Sequence, residues 1–145
     1  MAVVLDASAL LAYWLDEPGA EVVTMAVSAE GAFVAAPNFA EALTKLVDRS
    51  PDLAQKLPAV PPTLGGEAAS TLAGVPLAGG AISVEAFTMA DALLCAKLRP
   101  ATRPLGLSLG DRACLGLAQR LGLRALTADQ EWSKLSLGIS VEVIR

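Results

Sequence analysis

Four carboxylates stand where a chain most readily builds chemistry: Asp6, Glu41, Asp111 and Asp129. Asp6 ends the apolar run Val3-Val4-Leu5, and Asp129 follows Leu126-Thr127-Ala128. Glu41 and Asp111 open helical patterns, in Asn38-Phe39-Ala40-Glu41 and Ser108-Leu109-Gly110-Asp111. Each acid alone reads as a helix cap or capping-box partner, worth about 1 kcal/mol. Together they imply more, because strand ends and the helix starts after them share one edge of a parallel sheet. Converging carboxylates repel by about 1–4 kcal/mol per close pair, so they either share protons or hold a cation. Oxygen-only ligands suit Mg²⁺ or Mn²⁺, and such an ion can orient a water, lower its pKa and stabilise charge on a phosphodiester.

The composition narrows the alternatives. The chain has no histidine, which excludes Ser-His-Asp and Cys-His catalysis, histidine-bound metals and paired-histidine RNA cleavage. Cys95 and Cys114 sit in apolar helical patterns and read as small hydrophobes rather than as ligands or a disulfide. The formal net charge is −4 and the pI near 4.7, which gives no global attraction for nucleic acid. A local basic rim would escape that count. Mean hydropathy is +0.53, yet the longest charge-free stretch, Ala68 to Val84, is interrupted by Gly74, Pro76, Gly79 and Gly80. It is too short and broken to span a bilayer. With no basic segment ahead of an apolar run at the start, the expectation is a soluble cytoplasmic protein without a membrane partner.

These acids need elements to position them. Val3 to Leu5 reads as a strand buried on both faces, followed by a helix carrying Leu10, Leu11, Trp14 and Leu15. A second helix runs from near Pro18 to about Ala29, then a strand over Ala32 to Ala36, closed by Pro37. The Glu41 helix follows, with Leu43, Leu46 and Val47 on one face. Prolines and glycines between Ser50 and Gly66 mark a surface connection with a turn or two of helix at Asp52 to Leu57. Glu67 to Leu72 reads as a short helix, and Ala81 to Phe87 as an exposed strand. Thr88 to Leu98 reads as a helix with Met89, Ala92, Leu93 and Ala96 buried and Asp91 solvated, before a basic loop from Arg99 to Pro104. The Asp111 helix buries Cys114, Leu115, Leu117, Ala118 and Leu121 and stops at Gly122. A strand at Leu123 to Thr127, a short helix through Trp132 and Leu135 and a last strand from Ile139 to Ile144 complete the chain.

This alternation predicts one domain over residues 1–145, of the α/β class: three α/β/α layers around a central, mostly parallel sheet of four to five strands. Val-Leu-Asp-Ala-Ser-Ala-Leu at 4–10, Asn-Phe-Ala-Glu at 38–41, Ser-Leu-Gly-Asp-Arg-Ala-Cys-Leu at 108–115 and Thr-Ala-Asp-Gln-Glu-Trp at 127–132 are similar, in order and spacing, to the motifs of PIN-domain ribonucleases. Among these the chain most resembles the VapC-type toxins of bacterial toxin–antitoxin pairs. The resemblance implies a metal-dependent endoribonuclease (Mg²⁺ or Mn²⁺) inhibited by a cognate VapB-like antitoxin. It assigns metal coordination and catalysis to Asp6, Glu41, Asp111 and Asp129, with Ser8, Asn38 and Thr127 supporting. A second copy of the chain is the expected further partner. Two departures stand out: the region from Pro58 to Gly80 looks less helical than the family's segment there, and Gly110 replaces a helix-favouring residue, which predicts a looser turn at Asp111.

RNA held by an acidic protein needs cations near the site. Lys45 and Arg49 follow Glu41 by four and eight residues, roughly on its side of the helix. Arg99, Arg103 and Arg112 precede or adjoin Asp111. Two other readings use the same residues. A non-catalytic PIN-like interaction module would leave the four acids without a task. An aspartate-nucleophile phosphatase would use Asp6, but Ser8 replaces the usual second aspartate and no phosphate-binding lysine motif follows.

Overall fold

The computed structural model describes residues 1–57, 71–72, 75–76 and 81–145. Its centre is β1 (Val3–Leu5), whose three apolar residues are wholly buried because strands flank it on both sides. On one side lies β2 (Ala32–Ala35), with Leu5 opposite Val34. On the other lies β6 (Arg124–Thr127), with Leu5 opposite Leu126. Edge strands β5 (Ile82–Glu85) and β7 (Val141–Val143) complete a five-stranded, all-parallel sheet in the order β5-β2-β1-β6-β7.

The side-chain period of two sorts the core into two halves. Val3, Leu5, Val34 and Leu126 face α1 (Ala7–Leu15), α2 (Ala20–Glu30) and the Ala42 and Leu46 side of α3 (Ala36–Arg49). Val4, Ala35 and Ala125 face α5 (Met89–Thr102) and α6 (Leu109–Leu121). The three-layer α/β/α arrangement follows. Cys95 and Cys114 are buried as free thiols in the second half. A short helix, α4 (Leu53–Lys56), lies within the proline-bounded connection as expected. Among the described residues no helix is long and apolar enough to cross a membrane.

Three local expectations fail. Of the short helix expected at 67–72, residues 67–70 lie outside the described residues; Thr71–Leu72 instead form β3, antiparallel to β4 (Val75–Pro76). The rest of the Pro58 to Gly80 region lies outside the described residues as well.

The second failure is the face of α5. Met89 and Leu93 are exposed, at 81% and 60%, and the buried positions are Asp91, Cys95, Leu98 and Thr102. Those four recur at intervals of four, three and four, a proper inward stripe that two polar residues disguise in the sequence. Thr88 and Asp91 form a reciprocal capping box, and Arg120 Nε of α6 meets Asp91 Oδ1 at 3.1 Å. Asp91, 5% exposed, is therefore not a solvated surface acid. Burial alone would push its carboxyl up, but the bonds from Thr88 and Arg120 hold it below the ordinary range. The helix also runs through Pro100 to Thr102, where a loop is expected, and Thr102 Oγ1 donates to Leu98 O at 2.9 Å.

Replacing Asp91 by Ala removes half of a capping box and strands Arg120 beside Glu85, so chemical denaturation should show a loss of about 1–3 kcal/mol. A change within about 0.5 kcal/mol, the ordinary range for surface substitutions, would show that the buried stripe does not depend on this acid.

Candidate functional site

The strand order changes direction at β1: the chain leaves it toward β2 on one side and returns to β6 on the other. In parallel sheets a crevice opens at the carboxyl ends of strands on either side of such a point. Asp6 directly follows β1, and Asp129 follows β6 by two residues. Asp6 is 4% exposed and caps α1 by accepting from Ala9 N at 2.7 Å. Ser8 Oγ donates to its carboxylate at 2.8 and 2.9 Å, and Thr127 Oγ1 at 2.7 Å. Ser8 Oγ also accepts from Ala128 N, and Thr127 Oγ1 from Asp129 N. The supporting positions Ser8 and Thr127 thus bind the ends of β1 and β6 around one carboxylate.

Glu41 comes from the second turn of α3 and Asp111 from the first turn of α6. The capping-box reading of Asn38 and Glu41 does not hold. Helix α3 begins three residues earlier, with Ala35 at its cap and Pro37 in its first turn, where a missing N–H costs nothing. Asn38 is released from the cap, and at 1% exposed its Nδ2 donates to Gly110 O at 2.9 Å. Asn38 Oδ1 is buried with no hydrogen-bond partner.

Gly110 is not the loose point expected. Ser108 and Asp111 form a complete capping box, with Ser108 N donating to Asp111 Oδ2 at 2.7 Å and Asp111 N to Ser108 Oγ at 3.1 Å. The glycine serves close approach instead. A Cβ there would stand 2.9 Å from Glu41 Oε2 and 3.6 Å from Asn38 Nδ2.

Burial and neighbouring charge act on two of the acids, Asp6 and Asp111. Burial pushes the Asp6 carboxyl from its ordinary 3.8 up to about 6, against its three sets of hydrogen bonds, and Asp111 adds repulsion. Burial likewise pushes Asp111 up despite the bonds from Ser108, and both Glu41 and Asp129 repel it. Cys114, fully buried, is driven well up by burial, with Asp6 and Asp111 contributing. Asp111 is the hub, coupled to each of the other three acids. As placed, however, no three acidic or sulfur side chains among the described residues stand in a group able to hold a metal ion. Each carboxylate is turned to a donor of its own: Asp129 to Glu131 N, Glu41 to Lys45 Nζ, Asp111 to Ser108 and Asp6 to α1 and β6.

The five cations have separate fates. Lys45 pairs with Glu41 Oε1 at 2.9 Å, and Arg49 with Glu17 at 3.2 Å, where Arg145 joins at 3.3 Å. Arg112, beside Asp111 in sequence, instead donates Nη1 to Cys95 O at 3.0 Å and ties α6 to α5. Arg99 Nη1 donates to Leu107 O at 3.4 Å, and Arg103 is exposed in a short 3-10 turn at Arg103–Leu105. Arg145 is the cation that sequence spacing misses, because only β7 brings it back to Glu17.

A family model described as PIN domain matches residues 3–137. No curated protein matches the chain. Among solved structures, it is similar to VapBC2 from Rickettsia felis bound to a promoter DNA fragment (12% identity, 99% of this chain and 98% of that one, TM-score 0.62). DNA-bound VapBC from Salmonella typhimurium is similar at 14% identity, 100% and 99% coverage and TM-score 0.63. FitAcB from Neisseria gonorrhoeae is similar at 17% identity, 98% and 97% coverage and TM-score 0.59. At these identities the likeness is one of fold.

The Asp6 environment has a pH signature. Its folded-state pKa of about 6 lies above the ordinary 3.8, so the folded state binds the proton more tightly. The resulting destabilisation is complete above the folded value and disappears as pH falls through that window. In metal-free protein, Asp6→Asn should be more stable than wild type by about 1–3 kcal/mol at neutral pH, with the difference shrinking toward pH 4. Urea unfolding across pH measures it; a difference independent of pH would show that the Asp6 charge is not strained.

Proposed function

The chain belongs to the PIN-domain family, and on that premise we propose that it is a divalent-metal-dependent endoribonuclease, a VapC-like toxin restrained by a cognate antitoxin. The observation that carries the reading is the placement of buried Asp6 at the end of β1, the switch point of the sheet, within reach of the charge of Asp111 in the first turn of α6. Burial pushes both carboxyls up, with added repulsion from Asp111 on Asp6 and from Glu41 and Asp129 on Asp111, where bound cations would be most favoured. The similar structures are described as VapBC bound to DNA, which supports a VapB-like protein as the partner class.

The residues present fit a hard divalent ion in two respects. All four donors are carboxylate oxygens, the set that Mg²⁺ and Mn²⁺ take. The buried Asn38 Oδ1 beside the Gly110 notch also lacks a donor. Asp6, Glu41 and Asp111 would hold the ion, with Asp129 assisting. When bound, the ion supplies an activated water and a counter-charge for a phosphodiester in cleavage. The protein's own residues set the stage. Ser8 and Thr127 hold the Asp6 carboxylate in one orientation, so that no rotamer freedom is lost on binding. Asn38 clamps α6 to α3 and keeps Glu41 opposite Asp111. Lys45, Arg49 and Arg103 remain on the surface to meet RNA phosphates, whereas Arg99 and Arg112 are engaged with backbone carbonyls.

Purified protein should cut RNA in the presence of Mg²⁺ or Mn²⁺ and stop on chelation, with activity restored by excess metal. Loss of a supporting contact around a metal costs about 10–100-fold, so Asp6→Asn, which removes a ligand charge, should lower cleavage by more than about 100-fold while leaving the fold intact. If metal-loaded wild type cuts no RNA, the chain is a binding module on a PIN scaffold.

A further inference from the structure

Among the described residues, the only ion pair made by any of the four acids is that of Glu41 with Lys45. Nothing in composition requires this. Arg112 stands next to Asp111 in sequence, yet its guanidinium is drawn to Cys95 O and Ser108 O. Among the described residues Lys45 Nζ is therefore the side-chain cation paired with the cluster, at 2.9 Å from Glu41 Oε1, while the other oxygen of that carboxylate lies in the Gly110 notch. The pair is exposed on both sides and joins residues one helical turn apart, a geometry that binds weakly and yields to a stronger cation.

We propose that Lys45 is a tethered counter-ion that holds Glu41 in the metal-free protein, is exchanged for the divalent ion, and on release becomes a phosphate-binding cation for RNA. The inference rests on the metal-site reading above and deepens it. In the exchange, one ammonium leaves the carboxylate as one divalent ion arrives. No proton need move, because the ammonium stays charged in both states. The exchange answers the question raised by the side-chain arrangement: Glu41 is turned to an internal cation, which must be displaced before the acids can converge. It also couples two events, since Lys45 becomes free for a phosphate only once the metal is in place. Positive charge beside the acids then serves metal-free stability and substrate binding in turn.

An internal control makes the test sharp. Lys56 pairs with Asp52 at 2.8 Å in the same i,i+4 geometry and is similarly exposed, but Asp52 stands at the start of α4, outside the four-acid cluster. Amine acylation of the full chain, read by mass spectrometry at constant ionic strength, should show Lys45 reacting several-fold faster with Mn²⁺ than without, relative to Lys56. Direct Mn²⁺ titration of Lys45→Met should show affinity raised about two- to tenfold, the range expected for removing a weak competing pair and a like charge. Lys45→Arg should retain wild-type metal affinity. In the presence of Mn²⁺, Lys45→Met should bind RNA more weakly and with a shallower salt dependence, and Lys45→Arg should restore both. A purely structural helix pair would alter neither the labelling ratio nor the metal affinity. Mn²⁺ binding with an unchanged Lys45:Lys56 ratio, or no tighter binding by Lys45→Met, would overturn the exchange and leave the metal site standing. Absence of Mn²⁺ binding to wild type would overturn both.

Discussion

The structure depends on a charge held in a place without water. Because β1 is the middle strand and buries both faces, the residue that ends it is desolvated whatever its identity, and that residue is Asp6. Desolvation of a carboxylate is offset here by hydrogen bonds from three directions: Ala9 N in α1, the Ser8 hydroxyl, and Thr127 at the end of β6. These bonds also join β1, α1 and β6 at one corner. They do not fully compensate, and the raised Asp6 pKa is the residue of the imbalance. The fold thus concentrates unfavourable charge where the sheet's topology opens a crevice.

The second constraint is how closely α3 and α6 approach. Their first turns meet through the side-chain bond from Asn38 to Gly110 O, and the absence of a side chain at Gly110 leaves room for the Glu41 carboxylate. Ala is a better helix former than Gly by about 1 kcal/mol. Local helix propensity and inter-helix spacing therefore pull in opposite directions at this position, and spacing prevails. The cap at Ser108 and Asp111 makes the turn firm without help from Gly110.

Charge elsewhere is arranged to support the scaffold. Arg120 joins α6 to Asp91 of α5 and Glu85 of β5, Arg112 joins α6 to α5 through a carbonyl, and Arg124 lies between Glu30 and Glu142. Few cations are left near the acids, which is why a chain of net charge −4 can carry a basic function at only a handful of positions. The open depressions of about 390 Å³ flank Arg124, at the opposite end of the sheet from Asp6. At the candidate site each carboxylate is turned to a donor of its own, and the electrostatics of Asp6 and Asp111 mark the place.

The sequence by itself determined the α/β class, the buried first strand, most element boundaries and the placement of Asp6, Glu41, Asp111 and Asp129 at the same edge of a parallel sheet. These follow from local causes: unbroken apolar runs, helical periodicity, and glycine or proline at the stops. Tertiary structure decided what each acid does there. Asn38 reads as a cap until Pro37 moves the helix start and frees its amide to cross to α6. Asp91 reads as a solvated acid because an inward stripe of Asp, Cys, Leu and Thr has no apolar signature until Arg120 arrives from a helix 29 residues away. Lys45 and Arg112 look equivalent beside their acids, yet only one faces the cluster, since the backbone carbonyl that captures Arg112 belongs to another helix. Periodicity records which side of an element meets the core, whereas partners distant in the chain become neighbours only when the elements pack.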